Sequence, residues 1–522
     1  MKENKEGMLK GTFVLMVSTL IVKFLGVVFK IPLASFLGEE GMGYFNSAYT
    51  VFSFFYLICT AGVPKAIMIL ESRENKKTEA NQDRIKIALW CFGLFGFITS
   101  VILFLLSPLF AKLVGSDLSK FTLAVIAPSI FFVAMGGVLR GKLTAELNLI
   151  SISISQLVEA VGRLLLGLYF AKLGIKASLP LPIISALTVL GVTVGSIFGF
   201  VYLYICYKTK KRKLIIRQKE RIRLSNIKTT IKDILTISLP ITASATVMSL
   251  GGIIDLSIVI RSLRSIGYSE IEATALYGNY TTLAIPMLNL AVALITPISV
   301  AYVPIFSKLF GDKDHSKLKN TVNESIQTVS LVSIPLTLGL YTYSEQILRL
   351  LFPTANIAVG ASLLRILCPS IFLTGILLVL NSVLESTGNQ KAPIISMLLG
   401  SVVKIVSCLI LIKSKGINLS AAPIGTSLCN LTALTVSLTV LYKRIGFMPS
   451  VISRSLIPLA HSLSAILLTK PLFSSLSSVY SETFSLIVTI ASIILVYGIL
   501  VLFTLFVGKV KNKKMAIYTN LA

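Results

Sequence analysis

The sequence predicts an all-α polytopic membrane protein of about 14 transmembrane helices, arranged as two pseudo-symmetric six-helix lobes followed by two C-terminal helices. Three observations carry that prediction. The 522-residue chain is 54% hydrophobic and only 14% charged, with mean hydropathy +0.85, whereas a soluble protein is about a quarter charged. Its apolar residues gather into runs of roughly 20, the length a helix needs to cross the hydrocarbon core. The pattern of the first half returns in the second.

The first run, Gly11 to Gly38, reads GTFVLMVSTLIVKFLGVVFKIPLASFLG and carries Lys23, Lys30 and, near its end, Pro32. A cation at the bilayer centre costs about 2.5–3.5 kcal/mol on insertion scales, so such residues face a wet cavity or a partner. Seven residues make two helical turns, so Lys23 and Lys30 share a face. Either both line a cavity that receives an anion, or Lys30 snorkels to the outer headgroups and only Lys23 lies deep.

Further runs follow near 45–70, 86–107, 121–140, 151–171, 181–206, 233–260, 275–303, 322–343, 361–385, 392–412, 418–442, 455–472 and 483–508. They divide the chain into an N-terminal six-helix lobe (1–206), a basic linker (207–232), a C-terminal six-helix lobe (233–442) and a segment of two added helices with a tail (443–522). The net charge of +27 does not signal nucleic acid, because much of it sits in short loops between apolar runs. With an even number of spans and both termini cytoplasmic, inner segments hold roughly three times as many Lys and Arg as outer ones, the bias that orients plasma-membrane proteins. The longest basic run, Lys208 to Lys232, is expected to anchor on the anionic inner leaflet and to link the halves. The first run is too long for a cleavable signal peptide and lacks its small-residue cleavage pattern.

Arg163 aligns with Lys404 and Pro182 with Pro423, while LGVVFK at 25–30 matches LGGIID at 250–255. The last match sets Asp255 opposite Lys30. Six spans per half return the chain to its starting side, so a parallel repeat is expected, the arrangement in which secondary transporters seat substrate between lobes.

Several chemistries are excluded. The six cysteines lie in or beside apolar runs without CxxC spacing, and the two histidines form no metal-binding motif. GGVLRGK at 136–142 approaches a phosphate-binding loop, but Leu143 replaces the required hydroxyl and an apolar helix precedes it instead of a strand. The expectation is a transporter rather than an enzyme, with no cofactor, driven by an ion gradient, the membrane potential or the substrate gradient.

The intramembrane charges are therefore the informative set. Lys65 follows Pro64, whose missing N–H can open the helix. Glu159 and Arg163 stand four apart and can pair on one helix face. Asp255, Asn381, Glu385 and Ser401 offer carboxylate, amide and hydroxyl oxygens suited to Na⁺ or a proton relay; alternatively, Glu385 lies at the cytoplasmic interface.

KGTFVLMVSTLIVKFLGVVFKIPLASFLGEEGMGYFNSAY, TAGVPKAI, VLRGKL with ISQLVEAVGR, and ESTGNQKAPIISMLLGSVVKI occur in that order. Together they resemble the stage V sporulation protein B family, a polysaccharide-transporter branch of the multidrug/oligosaccharidyl-lipid/polysaccharide exporter superfamily. The resemblance implies movement of a lipid-linked oligosaccharide, a peptidoglycan precursor for the spore cortex, in a spore-forming bacterium. Related lipid II flippases hold the pyrophosphate with cations on the first two spans, which implies substrate-binding roles for Lys23, Lys30 and Lys65. Arg163 is counted with them. Those flippases mostly use Arg, a bidentate fork, where this chain has a point charge. Some relatives bind Na⁺ through a carboxylate on span seven, which implies cation coupling through Asp255. The expected partners are a lipid-pyrophosphate-linked sugar and membrane lipids, without nucleic acid; a monomer satisfies the sequence. The runner-up is a cation-coupled multidrug exporter of the same superfamily, whose cavity should be acidic or aromatic. A scaffold for wall-synthesis enzymes ranks third, because short loops offer little docking surface.

Overall fold

A computed structural model describes residues 2–73, 79–212, 224–353, 355–414 and 416–519, so residues 213–223 of the expected linker lie outside the described part. All regular structure among the described residues is helical. Among the described residues, ten helical segments are long and apolar enough to cross a membrane, and the pair Asp117–Ile126 and Ser129–Ala145, bent by 43°, gives an eleventh if taken as one span. One of the ten, Val17–Glu71, is 55 residues long and holds the first two expected spans. Leu224–Ser265 and His315–Thr342 hold the seventh and ninth. Each expected span thus overlaps helix among the described residues, some with a break inside, as at Ala61–Gly62 in the second and Ala127–Pro128 in the fourth.

Local chemistry explains where these helices break. Lys2–Thr60 is two arms joined at Gly38, whose φ of 63° and ψ of −170° lie in a region that side chains do not tolerate. An added Cβ there would meet nothing within 4 Å, so conformation and not space demands the glycine. The chain breaks again at Ala61–Gly62, and Val63–Arg73 begins with Pro64 in its first turn, where the missing N–H costs nothing. Lys65 is carried beside it. A third irregularity is the π-helical turn Tyr280–Ala284 between Glu270–Asn279 and Ile285–Gly311. Pro286 cannot donate to the carbonyl of Thr282, and a wider turn relieves the clash of its ring with that carbonyl.

The chain forms two compact units. The first comprises Met1–Pro286, Thr354–Asn356 and Ser401–Gly425. One of its cores gathers Val63, Ile67, Ile85, Val138 and Ile234. Within it, Leu149–Lys176 packs backbone to backbone on Leu181–Arg212 through Gly191 and Gly195. A Cβ on Gly191 would lie 2.3 Å from the Gly167 nitrogen, and one on Gly195 would lie 2.7 Å from the Glu159 carbonyl oxygen. Small residues permit such close approach between membrane helices, and this contact fixes the helix that bears Glu159 and Arg163.

The second unit comprises Met287–Pro353, Ile357–Gly400 and Thr426–Ala522. Its core includes Ile295, Phe306, Leu318, Val322, Ile376 and Val383. The last two helices are tied to His315–Thr342: Ser455 and Ser330 share a hydrogen bond of 3.0 Å, and the Tyr497 hydroxyl donates to the Leu331 carbonyl at 2.8 Å.

Candidate functional site: a cationic helix face

The arm 39–60 carries Asn46, Tyr49, Ser53 and Tyr56 at intervals of three, four and three residues, which places them on one helical face. Three cations from other segments of the first unit meet that face. Lys30 Nζ donates to Asn46 Oδ1 at 3.0 Å and to the Thr281 carbonyl at 3.1 Å. Arg163 donates to the Tyr49 hydroxyl at 3.0 Å. Arg140 donates to Glu159 Oε2 at 2.8 Å and to the Tyr56 hydroxyl at 3.4 Å. Asn46 to Tyr56 is about 15 Å along the helix axis, half the hydrocarbon thickness.

The network extends into the π-turn. Thr281, whose carbonyl receives Lys30, lies within Tyr280–Ala284. The next residue, Thr282, accepts from Asn46 Nδ2 at 2.9 Å. Glu159 is the carboxylate that pairs with Arg140, and it also receives the Ser196 hydroxyl at 3.4 Å. The face therefore carries more positive than negative charge in an apolar bundle. An excess of that kind is costly empty and favours an anion.

At the Gly38 end, Glu39 Oε1 accepts from Asn279 Nδ2 at 2.9 Å and from the Asn356 backbone N–H at 3.1 Å. Gly278 crosses Gly43 so closely that a Cβ on it would lie 2.6 Å from the Gly43 nitrogen. A half-open recess lined by Gly38, Glu39, Asn279 and Thr282 adjoins this crossing. Asn279 is buried, and its Oδ1 has no partner among the described residues. Towards the other end of the helices, Glu71 pairs with Lys142 and stands 3.8 Å from Arg84.

The residues singled out from the sequence distribute as follows. Lys30 and Arg163 meet on the cationic face. Lys23 and Lys65 are exposed, and neither forms an ion pair or hydrogen bond among the described residues. The spacing of Glu159 and Arg163 suggests a pair along one helix, but the carboxylate is taken by Arg140 from Ser129–Ala145 and Arg163 turns to Tyr49. Asp255 pairs with Lys404 at 3.0 Å. Ser401 lies one turn before Lys404 on the same helix. Asn381 and Glu385 belong to the second unit; Asn381 Oδ1 is buried without a partner among the described residues, and Glu385 is exposed.

Arg140, Asn46, Tyr49 and Tyr56 escaped the sequence reading. The three-four-three spacing of polar residues inside an apolar run was a usable signal for the last three. Arg140 gave none, since its string reads as a failed phosphate loop and as part of the family resemblance, neither of which gives the arginine a role.

With this geometry in view, residues 8–310 match the family model described as polysaccharide biosynthesis protein, and residues 280–410 match the one described as MatE. Two curated relatives come from Bacillus subtilis (strain 168). Stage V sporulation protein B is 25% identical over 407 residues, covering 77% of each chain. Lipid II flippase MurJ is 24% identical over 456 residues, covering 84% of this chain and 83% of its own. Among solved structures, lipid II flippase MurJ in an inward closed conformation superposes with a TM-score of 0.67 at 18% identity, covering 94% of this chain and 98% of that one. A multidrug resistance MATE family transporter of the MOP superfamily, inward-facing, gives 0.64 at 16% identity over 82% and 94%. At such identities the structures establish a shared fold.

Proposed function

Because the chain belongs to the polysaccharide biosynthesis protein family, we propose that it is a flippase that carries a lipid-linked oligosaccharide across the plasma membrane by alternating access. The substrate on this reading is a peptidoglycan precursor on a lipid diphosphate, used for the spore cortex of a spore-forming bacterium, and both termini are cytoplasmic. The observation that carries the proposal is the cationic helix face: Lys30, Arg163 and Arg140 gather on Asn46, Tyr49 and Tyr56, and Glu159 pairs with Arg140 alone among them. A lipid diphosphate brings about two negative charges, and a unit pair at 4 Å is worth about 4 kcal/mol at an effective dielectric of 20, before desolvation.

The roles divide by position. Arg163 offers a planar fork for two phosphate oxygens. Lys30 is a point charge already held by two neutral oxygens, so it can turn to a stronger anionic acceptor. Exposed Lys23 and Lys65 would meet the headgroup on entry. The tyrosine hydroxyls fix the cations, and their rings give the face an apolar body beside the sugar.

The match of residues 280–410 to the MatE model favours a second reading, a cation-coupled multidrug exporter. A cationic drug would meet repulsion on this face, which ranks the exporter second. Reconstitution in liposomes with a fluorescent lipid-diphosphate sugar separates the two: a flippase moves it between leaflets, and an exporter moves only the cationic dye.

A further inference from the structure

The sequence suggested a cation-coupling site around Asp255, and the structure holds a different arrangement there. Lys404 Nζ lies 3.0 Å from Asp255 Oδ2, with the two side chains 20% and 17% exposed. The lysine stem is seated from behind: a Cβ on Gly425 would come 3.2 Å from Lys404 Cγ and 2.7 Å from Cys408 Sγ, so the helix Ala421–Ile445 lies directly against it. One turn before Asp255, a Cβ on Gly251 would stand 3.7 Å from the hydroxyl of Ser401, itself one turn before Lys404. The Ser401 hydroxyl thus lies within ordinary van der Waals reach of the Gly251 position beside the pair.

We propose that Lys404 is a tethered counter-ion that occupies the carboxylate of Asp255 in place of an inorganic cation. A Na⁺ entering here would have to share one carboxylate with an ammonium already at ion-pair distance, and like charges disfavour that. Asp255 and Ser401 are the expected oxygen donors within this unit, and the carboxylate of the first is already held by the ammonium. The donor set therefore does not fit a bound alkali cation. The repeat in the sequence supports the assignment. Asp255 and Lys404 stand at the positions of Lys30 and Arg163, so the first half places two cations where the second half carries a self-neutralised pair. The first-half pair needs an anion from outside, and the second needs nothing. For the flippase reading on which this consequence rests, transport then draws on the substrate gradient or the membrane potential without Na⁺ at Asp255.

The test reads ion binding through stability and needs no transport. Purified protein in detergent is melted in NaCl and in N-methyl-D-glucamine chloride at equal ionic strength. The wild type is expected to shift by less than about 1 °C between the two, small against the 2–4 °C that 1 kcal/mol gives a large domain. Lys404→Met vacates the carboxylate and is expected to melt lower, with stability regained on adding Na⁺ or on acidification, either of which neutralises Asp255. Adding Asp255→Asn to that variant should abolish both responses. If Lys404→Met fails to fold, the exchanged pair Asp255→Lys with Lys404→Asp keeps the attraction and should restore ion-indifferent melting. A Na⁺-dependent rise in the wild type that Asp255→Asn removes would overturn the proposal, as would a Lys404→Met variant indifferent to both Na⁺ and pH. Neither result bears on flipping, which is scored separately in liposomes.

Discussion

The Arg140 guanidinium donates to Glu159 Oε2 at 2.8 Å from a neighbouring helix, although Arg163 stands four residues from Glu159 on its own helix. That exchange of partners decides the electrostatics of the first unit. Glu159 balances Arg140, and Arg163 is left facing the Tyr49 hydroxyl with its charge available. Arg140→Met should therefore destabilise by on the order of 3 kcal/mol, because a partly buried carboxylate loses its counter-charge. Arg140→Lys should recover much of that. Thermal unfolding in detergent compares the three proteins; equal melting of Arg140→Met and wild type would deny the pair a structural role.

Tyr49→Phe separates charge from positioning. The ring and its stacking with Phe45, at 5.9 Å between centroids, remain, and only the hydroxyl that holds Arg163 is lost. A hydrogen bond to a charged group contributes about 1.5–3 kcal/mol, so roughly tenfold or more should be lost in affinity for a lipid diphosphate. Tyr56→Phe, whose contact with Arg140 is 3.4 Å, should cost less. Titration with the labelled lipid checks the order, and the reverse order would remove Tyr49 from the site.

Two glycines give opposite expectations for stability. A Cβ on Gly43 would lie 2.2 Å from the Thr274 carbonyl oxygen, so Gly43→Ala must push backbone and should cost roughly 1–3 kcal/mol. Gly26 sits inside a helix, and an added Cβ there meets nothing within 4 Å, so Gly26→Ala should be neutral or slightly stabilising. Melting temperatures of the two variants decide it. A tolerated Gly43→Ala would mean that the crossing is looser than described.

Much of the fold was legible because apolar run length reports helix spans directly, and Pro64 announced the break at Ala61–Gly62. The kink at Gly38 was harder to foresee: glycine is permissive everywhere, and only its φ and ψ reveal where the freedom is used. The candidate site was half legible. Lys30 and Arg163 stood out as charges in apolar runs. Their partners are separated from them in sequence, so helix spacing could not find them. Spacing instead suggested Glu159 with Arg163, the geometry that tertiary packing replaced. Asp255 and Lys404 were each visible, but nothing local joins residues so far apart.

Outside the membrane spans, Asp314 caps the helix His315–Thr342 by accepting from the Lys317 backbone N–H at 3.0 Å. That bond, then the Lys317 side chain, holds the carboxyl below its usual range. A depressed folded-state pKa means the cap stabilises above the ordinary aspartate pKa and loses that contribution as pH falls through the lower folded value. Asp314→Ala should therefore melt below wild type at neutral pH, with the gap closing under strongly acidic conditions. Asp314→Asn, which still accepts from the N–H, should lie near wild type at neutral pH. A gap that stayed constant into acid would exclude the charged cap.

The central claim is that Lys30 and Arg163 hold the anionic headgroup of a lipid-linked sugar, and flipping in proteoliposomes tests it most directly. Wild type, Lys30→Gln, Arg163→Gln and the charge-preserving Lys30→Arg are reconstituted at equal protein density, with a fluorescent lipid-diphosphate oligosaccharide scored for leaflet exchange and a cationic dye scored in parallel. The account predicts flipping by the wild type, near-complete loss in both Gln variants, substantial retention in Lys30→Arg, and no dye transport that depends on these residues. Normal flipping of the lipid-linked sugar by both Gln variants would contradict it.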